Sequence, residues 1–321
     1  MKAVRIHGFG GPEVLRLDDV PEPKAGPGEV LLRVRAAGVT GLDTARRAGG
    51  EAHRVALPTT LGTEAAGVIA AVGPGVNPAL RGLRVVGFAP ESQAECARMA
   101  AADVVLLPDS VDFEAAAALP CEGLTAYHLL HTVDWVTPGM TLLVHAIAGG
   151  VGLLALQLAK AAGARVFGTT STEEEADVAR RLGADAVLVA PSDLAAEVLA
   201  LTGGEGVNLV LDSVGRATAE ASLLCLAPFG HLVFFGATSG PPAPLPIDAL
   251  YGRALKVSAF SLSAPLPADA NRSALHELVS DVAAGTLSCS YGLRLPLAQV
   301  AQAYRVLEEG RGVGSVVLRV G

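Results

Sequence analysis

The chain has 321 residues; 51% are apolar, 17% charged and only 4% aromatic, and the formal net charge is −8. That length allows two domains with cores of their own, and so apolar a composition excludes a disordered chain. The acidic excess comes from dispersed residues with no basic block, which argues against nucleic acid as a partner.

Residues 1 to about 110 are β-rich. Strand character is evident in Val30–Ala36, Gly67–Val72 and Arg84–Phe88, with turn signals at Pro21-Glu22-Pro23, Gly26-Pro27-Gly28, Gly73-Pro74-Gly75 and Asn77-Pro78. Short strands punctuated this often predict a compact, partly closed β domain. The opening Met1-Lys2-Ala3-Val4-Arg5-Ile6 is too polar for the apolar core of a secretory signal. Cys96, Cys121, Cys225 and Cys289 are scattered without a C-x-x-C, so free thiols in the cytoplasm are expected. Phe113 to His131 reads as helix interrupted by Pro120 and forms the bridge to a second domain.

From Thr141 the pattern alternates. Strands at 142–144, 165–168, 186–189, 208–211 and 231–235 are separated by helices at 151–162, 173–182, 193–201 and 217–225. Repeated strand–helix units of this length predict a doubly wound parallel sheet of the Rossmann type. Leu255–Phe260 reads as a sixth strand, 273–285 and 297–309 as helices, and Gly314–Val320 as a last strand. The longest apolar run, Thr141 to Ala162, carries His145, a glycine cluster and Gln157, so no membrane span is expected.

The chain is organised around Thr141 to Gly163. A short apolar strand meets the turn Ala148-Gly149-Gly150-Val151-Gly152, and an apolar helix follows. Glycines let backbone N–H groups approach a pyrophosphate, and a helix N-terminus offers partial positive charge. Ile147 stands where the first glycine of G-x-G-x-x-G would be, and in isolation a buried strand–turn–helix without ligand reads the same way. Ligands of such sheets sit beyond the carboxyl ends of the strands. The second strand ends Gly168-Thr169-Thr170-Ser171, without the acidic residue that grips a ribose 2′-hydroxyl. The fourth ends Asp212-Ser213-Val214-Gly215 and the fifth Phe235-Gly236-Ala237-Thr238-Ser239, where backbone can approach a nucleotide.

Several ordered motifs carry a resemblance over nearly the whole chain. They are Ala36–Asp43 (AAGVTGLD), Leu61–Gly67 (LGTEAAG), Gly123–Tyr127 (GLTAY), Val144–Gly152 (VHAIAGGVG), Gly168–Thr172 (GTTST), Leu182–Asp185 (LGAD) and Gly314–Leu318 (GSVVL). Together they resemble the medium-chain dehydrogenase/reductase superfamily and, within it, the zinc-free quinone oxidoreductase (zeta-crystallin-like) branch, where an A-x-x-G-G-V-G turn replaces the full fingerprint. The resemblance implies an α/β chain: a GroES-like β-rich domain from residues 1–117 and 248–321, and a Rossmann domain from 118–247. It implies a homodimer, paired through the strand near 255–260. It places the dinucleotide on Thr125, Ala148, Gly149, Gly150, Val151, Gly152, Thr170, Ser171, Arg180, Ser213, Val214, Phe235, Gly236, Ala237 and Ser239.

Zinc alcohol dehydrogenases of the superfamily hold their metal with Cys, His and Cys or Asp. The first two positions resemble Thr40 and Thr63 here, and only Cys121 matches the third. Threonine hydroxyls are not zinc donors, so no metal is expected, and Cys121 reads as a small buried hydrophobe. His53, His128, His131 and His145 show no ligand spacing and read as core or surface histidines. Hydride transfer without a metal calls for an electron-poor acceptor, which points to a quinone or an activated enone. The proton would come from solvent or from a polar group near Thr40, Asp43 or Tyr127. Asp43 and Arg47 also have the i, i+4 spacing of a structural ion pair, and Glu64 reads as a support for the nearby loop.

NADPH is the expected cofactor, with NADH as the alternative. Thr170 or Ser171 fits the family's 2′-phosphate contact, but its Lys and Tyr positions correspond to Glu175 and Ala190. Thr172-x-x-Glu175 has the form of a capping box, and Arg180 is placed to compensate for the missing lysine. Two other functions fit the same residues: reduction of an enoyl thioester, and a nucleotide-binding role without catalysis.

Overall fold

The computed structural model describes residues 1–50, 54–245, 247–267, 269–289, 292–310 and 312–321. His53, weighed above as a ligand, lies outside them. The chain divides into two compact units, residues 1–124 with 266–321, and residues 125–265.

The first unit contains β1 (Lys2–Ile6), β2 (Arg16–Asp19), β3 (Glu29–Val39), α1 (Gly41–Ala48), β4 (Thr59–Thr60), β5 (Glu64–Val72), β6 (Arg84–Phe88), β7 (Cys96–Ala100), β8 (Val105–Leu106) and α2 (Phe113–Ala116). The helix expected over 113–131 is broken on either side of Pro120, and α3 (Leu124–His128) lies between two wide turns. The second unit follows as β9 (Thr141–Val144), α4 (Gly150–Ala161), β10 (Arg165–Thr170), α5 (Glu173–Arg181), β11 (Ala186–Val189) and α6 (Leu194–Leu201). It is completed by β12 (Val207–Asp212), α7 (Ala219–Cys225), β13 (Leu226–Phe234), α8 (Asp248–Tyr251) and β14 (Lys256–Ala259). The chain then returns to the first unit with α9 (Ala270–Ala284), β15 (Gly292–Pro296), α10 (Val300–Glu308) and β16 (Ser315–Arg319).

In the first unit the main sheet has the order β15-β16-β3-β5-β6-β8, with β7 also paired to β3, and β2-β1-β4 form a smaller sheet. β3 serves three partners because β7 pairs with its first half and β16 with its second, while β5 runs along both with register shifts at Leu31/Leu32 and Val34/Ala36. Such irregularities bend a strand and let it close a partial barrel. Leu32, Val34, Ile69, Met99 and Tyr304 fill the interior.

In the second unit six strands run in the order β11-β10-β9-β12-β13-β14, and every pair is parallel. Leu143, Phe167, Val210 and Leu232 lie in its core. Strand order reverses between β9 and β12, so the loops after these two strands flank the switch point of the sheet.

The unit limits differ from those expected at 117/118 and 247/248. Residues 119–123 stay with the first unit because the Cys121 N–H donates to Glu64 Oε2 at 2.6 Å and Glu122 accepts from the Ser315 hydroxyl. Residues 248–265 stay with the second because β14 extends the parallel sheet. His231 secures it by bonding Ser258 Oγ at 2.7 Å on one side and Asp134 at 3.0 Å on the other.

Candidate active site

β9 is buried along its whole length, as befits a central parallel strand covered on both faces. Beyond it Ala146 takes φ +49°, and the Gly149 N–H donates to the Ala146 carbonyl at 2.9 Å. The chain thus turns sharply and α4 begins at Gly150 with no side chain capping it. The first turn leaves the N–H groups of Gly150, Val151 and Gly152 without intrahelical acceptors, and these are the donors a pyrophosphate takes up. A Cβ on Gly152 would stand 2.5 Å from the Ile147 carbonyl oxygen and 2.7 Å from that of Ala146. Ile147 itself is fully buried and lies over Gly168, where a Cβ would fall 2.4 Å from Ile147 Cγ2. The missing first glycine is therefore answered by a glycine on the neighbouring strand.

The other expected nucleotide contacts collect at the same edge of the sheet. Thr170 ends β10 and Ser171 follows it; Ser213 and Val214 follow β12; Phe235, Gly236, Ala237 and Ser239 follow β13. The last two loops are knit together. Thr238 N–H donates to the Ser213 carbonyl at 3.1 Å, Ser239 N–H to that of Val214 at 2.9 Å, and Arg216 N–H to that of Gly240 at 3.0 Å. Ser239 Oγ also donates to the Val214 carbonyl at 2.8 Å. Thr125 is partly buried on α3.

Around β10 the hydrogen bonds are largely internal. Thr170 Oγ1 donates to the Thr172 carbonyl. Thr172 Oγ1 accepts from the Glu175 N–H at 3.3 Å, and the Glu175 carboxylate accepts from the Ser171 N–H at 2.9 Å. Glu175 thus satisfies backbone donors, though the amide it reaches lies one residue ahead of the capping box. Arg180 is bound by Glu173 at 2.9 Å and Asp177 at 3.0 Å, both acids of its own helix. Ala190, at the family's Tyr position, takes φ +41° and donates its N–H to the Thr170 carbonyl.

Several polar residues behind these loops were not legible as site residues. His145 is buried, with Nδ1 3.0 Å from Thr169 Oγ1 and Nε2 2.9 Å from Ser222 Oγ. Ser222 and Thr218 donate to Asp212 Oδ2 at 3.1 and 2.7 Å. Asp212 Oδ1 accepts from the N–H groups of Val214 and Gly215 at 2.8 and 2.9 Å. Burial holds the His145 imidazole below its ordinary range, against the pull of Asp212. A lone histidine in an apolar run was the only signal in the sequence.

In the first unit Thr40 caps α1. Its N–H and its Oγ1 both donate to Asp43 Oδ2 at 2.9 Å, and its Oγ1 accepts from the Asp43 N–H. Thr63 Oγ1 donates to Asp43 Oδ1 at 3.1 Å and accepts from Arg46 Nη1 at 3.0 Å. Burial raises the Asp43 carboxyl, opposed by these hydrogen bonds and by Arg46. The expected Asp43–Arg47 ion pair is absent among the described residues: Arg47 instead donates to the Gly10 carbonyl and pairs with Glu308. Capping turns Asp43 toward the helix start, and Arg47 pairs with Glu308 instead. Glu64 is buried and its carboxyl is raised well above the ordinary range by burial and by the charge of Glu122. Tyr127 lies in the second unit, stacked on His131 with ring centroids 4.4 Å apart. The three expected catalytic residues thus divide between the units, Thr40 and Asp43 in the first and Tyr127 in the second.

Zinc does not fit the residues at the superfamily's ligand positions. The hydroxyls of Thr40 and Thr63 are spent on Asp43. Burial and the charge of Glu64 push the Cys121 thiol well above its usual range, whereas zinc binds the thiolate. Cys121 is half-buried as a residue, with its thiol on the buried side, and its backbone N–H holds Glu64. His128 and His131 bond Thr132 and the Tyr127 carbonyl within their own helical stretch.

Family models match both parts of the chain, "Alcohol dehydrogenase GroES-like domain" over residues 26–140 and "Zinc-binding dehydrogenase" over residues 150–280. A quinone oxidoreductase of Pseudomonas aeruginosa is 38% identical over 99% of both chains. A 2-haloacrylate reductase of a Burkholderia species is 36% identical over 98% of both. The structure of the Escherichia coli quinone oxidoreductase complexed with NADPH superposes with a TM-score of 0.93 at 35% identity, covering 99% of this chain and 100% of that one. With these relatives matching end to end, and with the uncapped glycine turn at the switch point of its parallel sheet, the chain belongs to the medium-chain dehydrogenase/reductase superfamily, in its quinone oxidoreductase (zeta-crystallin-like) branch.

Proposed function

We propose that the protein is a zinc-independent, NADPH-dependent reductase of quinones or activated enones. The observation that carries this is the pairing of an uncapped glycine turn with threonine hydroxyls, already spent on Asp43, at the positions where the superfamily binds zinc. Relatives that act on a quinone and on a haloacrylate support the acceptor class. When bound, NADPH supplies a hydride equivalent to an electron-poor carbon or oxygen.

The chain's own residues bind and orient. The N–H groups of Gly150, Val151 and Gly152 receive the pyrophosphate, and the loops at 213–215 and 235–239 present backbone to the rest of the dinucleotide. Thr170, Ser171 and Arg180 take the 2′-phosphate end, and Thr125 belongs to the same set. Thr40, Asp43 and Tyr127 are the acceptor-side polar groups. The proton that completes reduction comes from solvent or from a polar group near Thr40, Asp43 or Tyr127. No helix is long and apolar enough to cross a membrane among the described residues. We take its compartment to be the cytoplasm and its state to be a homodimer, the latter supported by β14, which among the described residues pairs only with β13 at the end of the parallel sheet.

The test is oxidation of NADPH at 340 nm with 1,4-benzoquinone and with an activated enone, alongside fluorescence titrations of NADPH and NADH and a zinc determination. Turnover by metal-free protein is expected. Failure to bind either nucleotide refutes the proposal, and activity that tracks stoichiometric zinc refutes its metal-free part. Turnover of enoyl thioesters in place of quinones would instead identify an enoyl reductase.

A further inference from the structure

On the dinucleotide site proposed above, we infer that Asp212 is a positioning residue that holds the loops on both sides of the switch point in register through one buried hydrogen-bond chain. Asp212 is completely buried at the end of β12, and no cation pairs with it among the described residues. It meets hydrogen-bond donors instead. Oδ1 takes the N–H groups of Val214 and Gly215, which fixes the loop that the Ser213 and Val214 carbonyls then tie to Thr238 and Ser239. Oδ2 takes the hydroxyls of Thr218 and Ser222.

The direction of the chain follows from counting donors. Ser222 has one hydroxyl hydrogen, and it is spent on Asp212. Its oxygen must then accept from His145, so the imidazole carries its hydrogen on Nε2. Nδ1 is left as an acceptor, and Thr169 Oγ1 donates to it. Thr169 in turn accepts the Ile147 N–H on its carbonyl, in the middle of the glycine turn. The carboxylate at the end of β12 therefore sets the direction of the side-chain hydrogen bonds as far as Thr169, whose backbone carbonyl separately holds the Ile147 N–H of the turn after β9. An isolated buried carboxylate is costly, and its retention here is explained by this reach into both nucleotide loops.

Three variants test the inference: Asp212→Ala, Asp212→Asn and Ser222→Ala. Asp212→Ala should raise the NADPH and NADH dissociation constants together by about 10- to 100-fold, the scale of lost hydrogen bonds to a charged group, while kcat at saturating NADPH stays within about threefold. Asp212→Asn keeps an acceptor for Val214 and Gly215 and can donate to Ser222, which reverses the side-chain bonds from Ser222 through His145 to Thr169 Oγ1 without breaking one and leaves the backbone bonds as they are. Affinity should then stay within about threefold of the parent, and the 15N spectrum of His145 should switch from the Nε2–H to the Nδ1–H tautomer. Ser222→Ala cuts only the link to the turn and should weaken binding by about 3- to 10-fold; it also serves if Asp212→Ala does not fold. The inference is overturned if the parent protein binds nucleotide and folded Asp212→Ala or Ser222→Ala binds it equally well. It is likewise overturned if Asp212→Asn loses as much affinity as Asp212→Ala, or keeps the parent tautomer. A parent that binds neither nucleotide refutes the site as well.

Discussion

Ile147 and Gly168 form a complementary pair whose exchange can be tested by a double-mutant cycle. Ile147 is fully buried, and a methyl group added at Gly168 would lie 2.4, 2.5 and 2.6 Å from Ile147 Cγ2, Cδ1 and Cβ. The last contact is to an atom that no rotamer can move, so Gly168→Ala must displace backbone. That overpacking costs about 1–3 kcal/mol. Ile147→Gly empties the same space from the other side. It should cost about 3–6 kcal/mol, taking roughly 2–5 for truncation to alanine and about 1 for the added glycine entropy. This second variant also creates the complete G-x-G-x-x-G, Gly149 and Gly152 being already present. In the double variant every close atom of residue 147 is gone, so the added methyl is accommodated and gains about 0.4–1 kcal/mol of unfolded-state entropy. The cycle should therefore show a favourable coupling of about 1.4–4 kcal/mol, read from urea midpoints at constant m-value. Additivity within about 0.5 kcal/mol would refute the pairing.

Three further outcomes follow. Gly152→Ala drives a Cβ to 2.5 Å from the Ile147 carbonyl oxygen, so NADPH and NADH affinity should both fall by about tenfold or more; titration with either nucleotide checks this, and an unchanged dissociation constant would contradict the phosphate-binding turn. Glu122 is pushed up to about 7 by burial, against the Ser315 hydrogen bond and Arg294. Its contribution is full below about pH 4.5 and falls as pH rises toward 7, because the unfolded chain alone has lost its proton there. The loss is at most about 3 kcal/mol, and Glu122→Gln should flatten the fall in urea midpoint between pH 5 and 8, an unaltered slope counting against it. Releasing Arg180 with Glu173→Gln and Asp177→Asn removes both acids that bind it. NADPH should then gain on NADH by about threefold or more, the scale of an exposed charge contact; an unchanged preference would mean that Arg180 does not serve the 2′-phosphate.

The local chemistry of the chain was legible because its causes are local. The fully apolar Leu142-Leu143-Val144 became a strand buried on both faces. Thr172 caps its helix, as its spacing to Glu175 implied. The donor types at 40 and 63 speak against zinc by their chemistry alone. What escaped the sequence depends on partners far along the chain. Asp43 and Arg47 have ion-pair spacing, yet Arg47 pairs with Glu308, 261 residues away. Residues 255–260 read as a strand, but only the sheet order reveals that they extend the second unit by pairing with β13.

His145 illustrates the division most clearly. Its position just ahead of the glycine turn was plain from the sequence, and its chemistry was not. Its partners Thr169 and Ser222 lie 24 and 77 residues away, and they meet it only because β10 and β12 are the two neighbours of β9. Period, capping and turn chemistry act within a few residues, so the main strands and helices and the donors at the strand ends can be read locally. Which strand ends become neighbours, and hence which buried donor meets which acceptor, depends on strand order, and that is set by packing across the whole sheet.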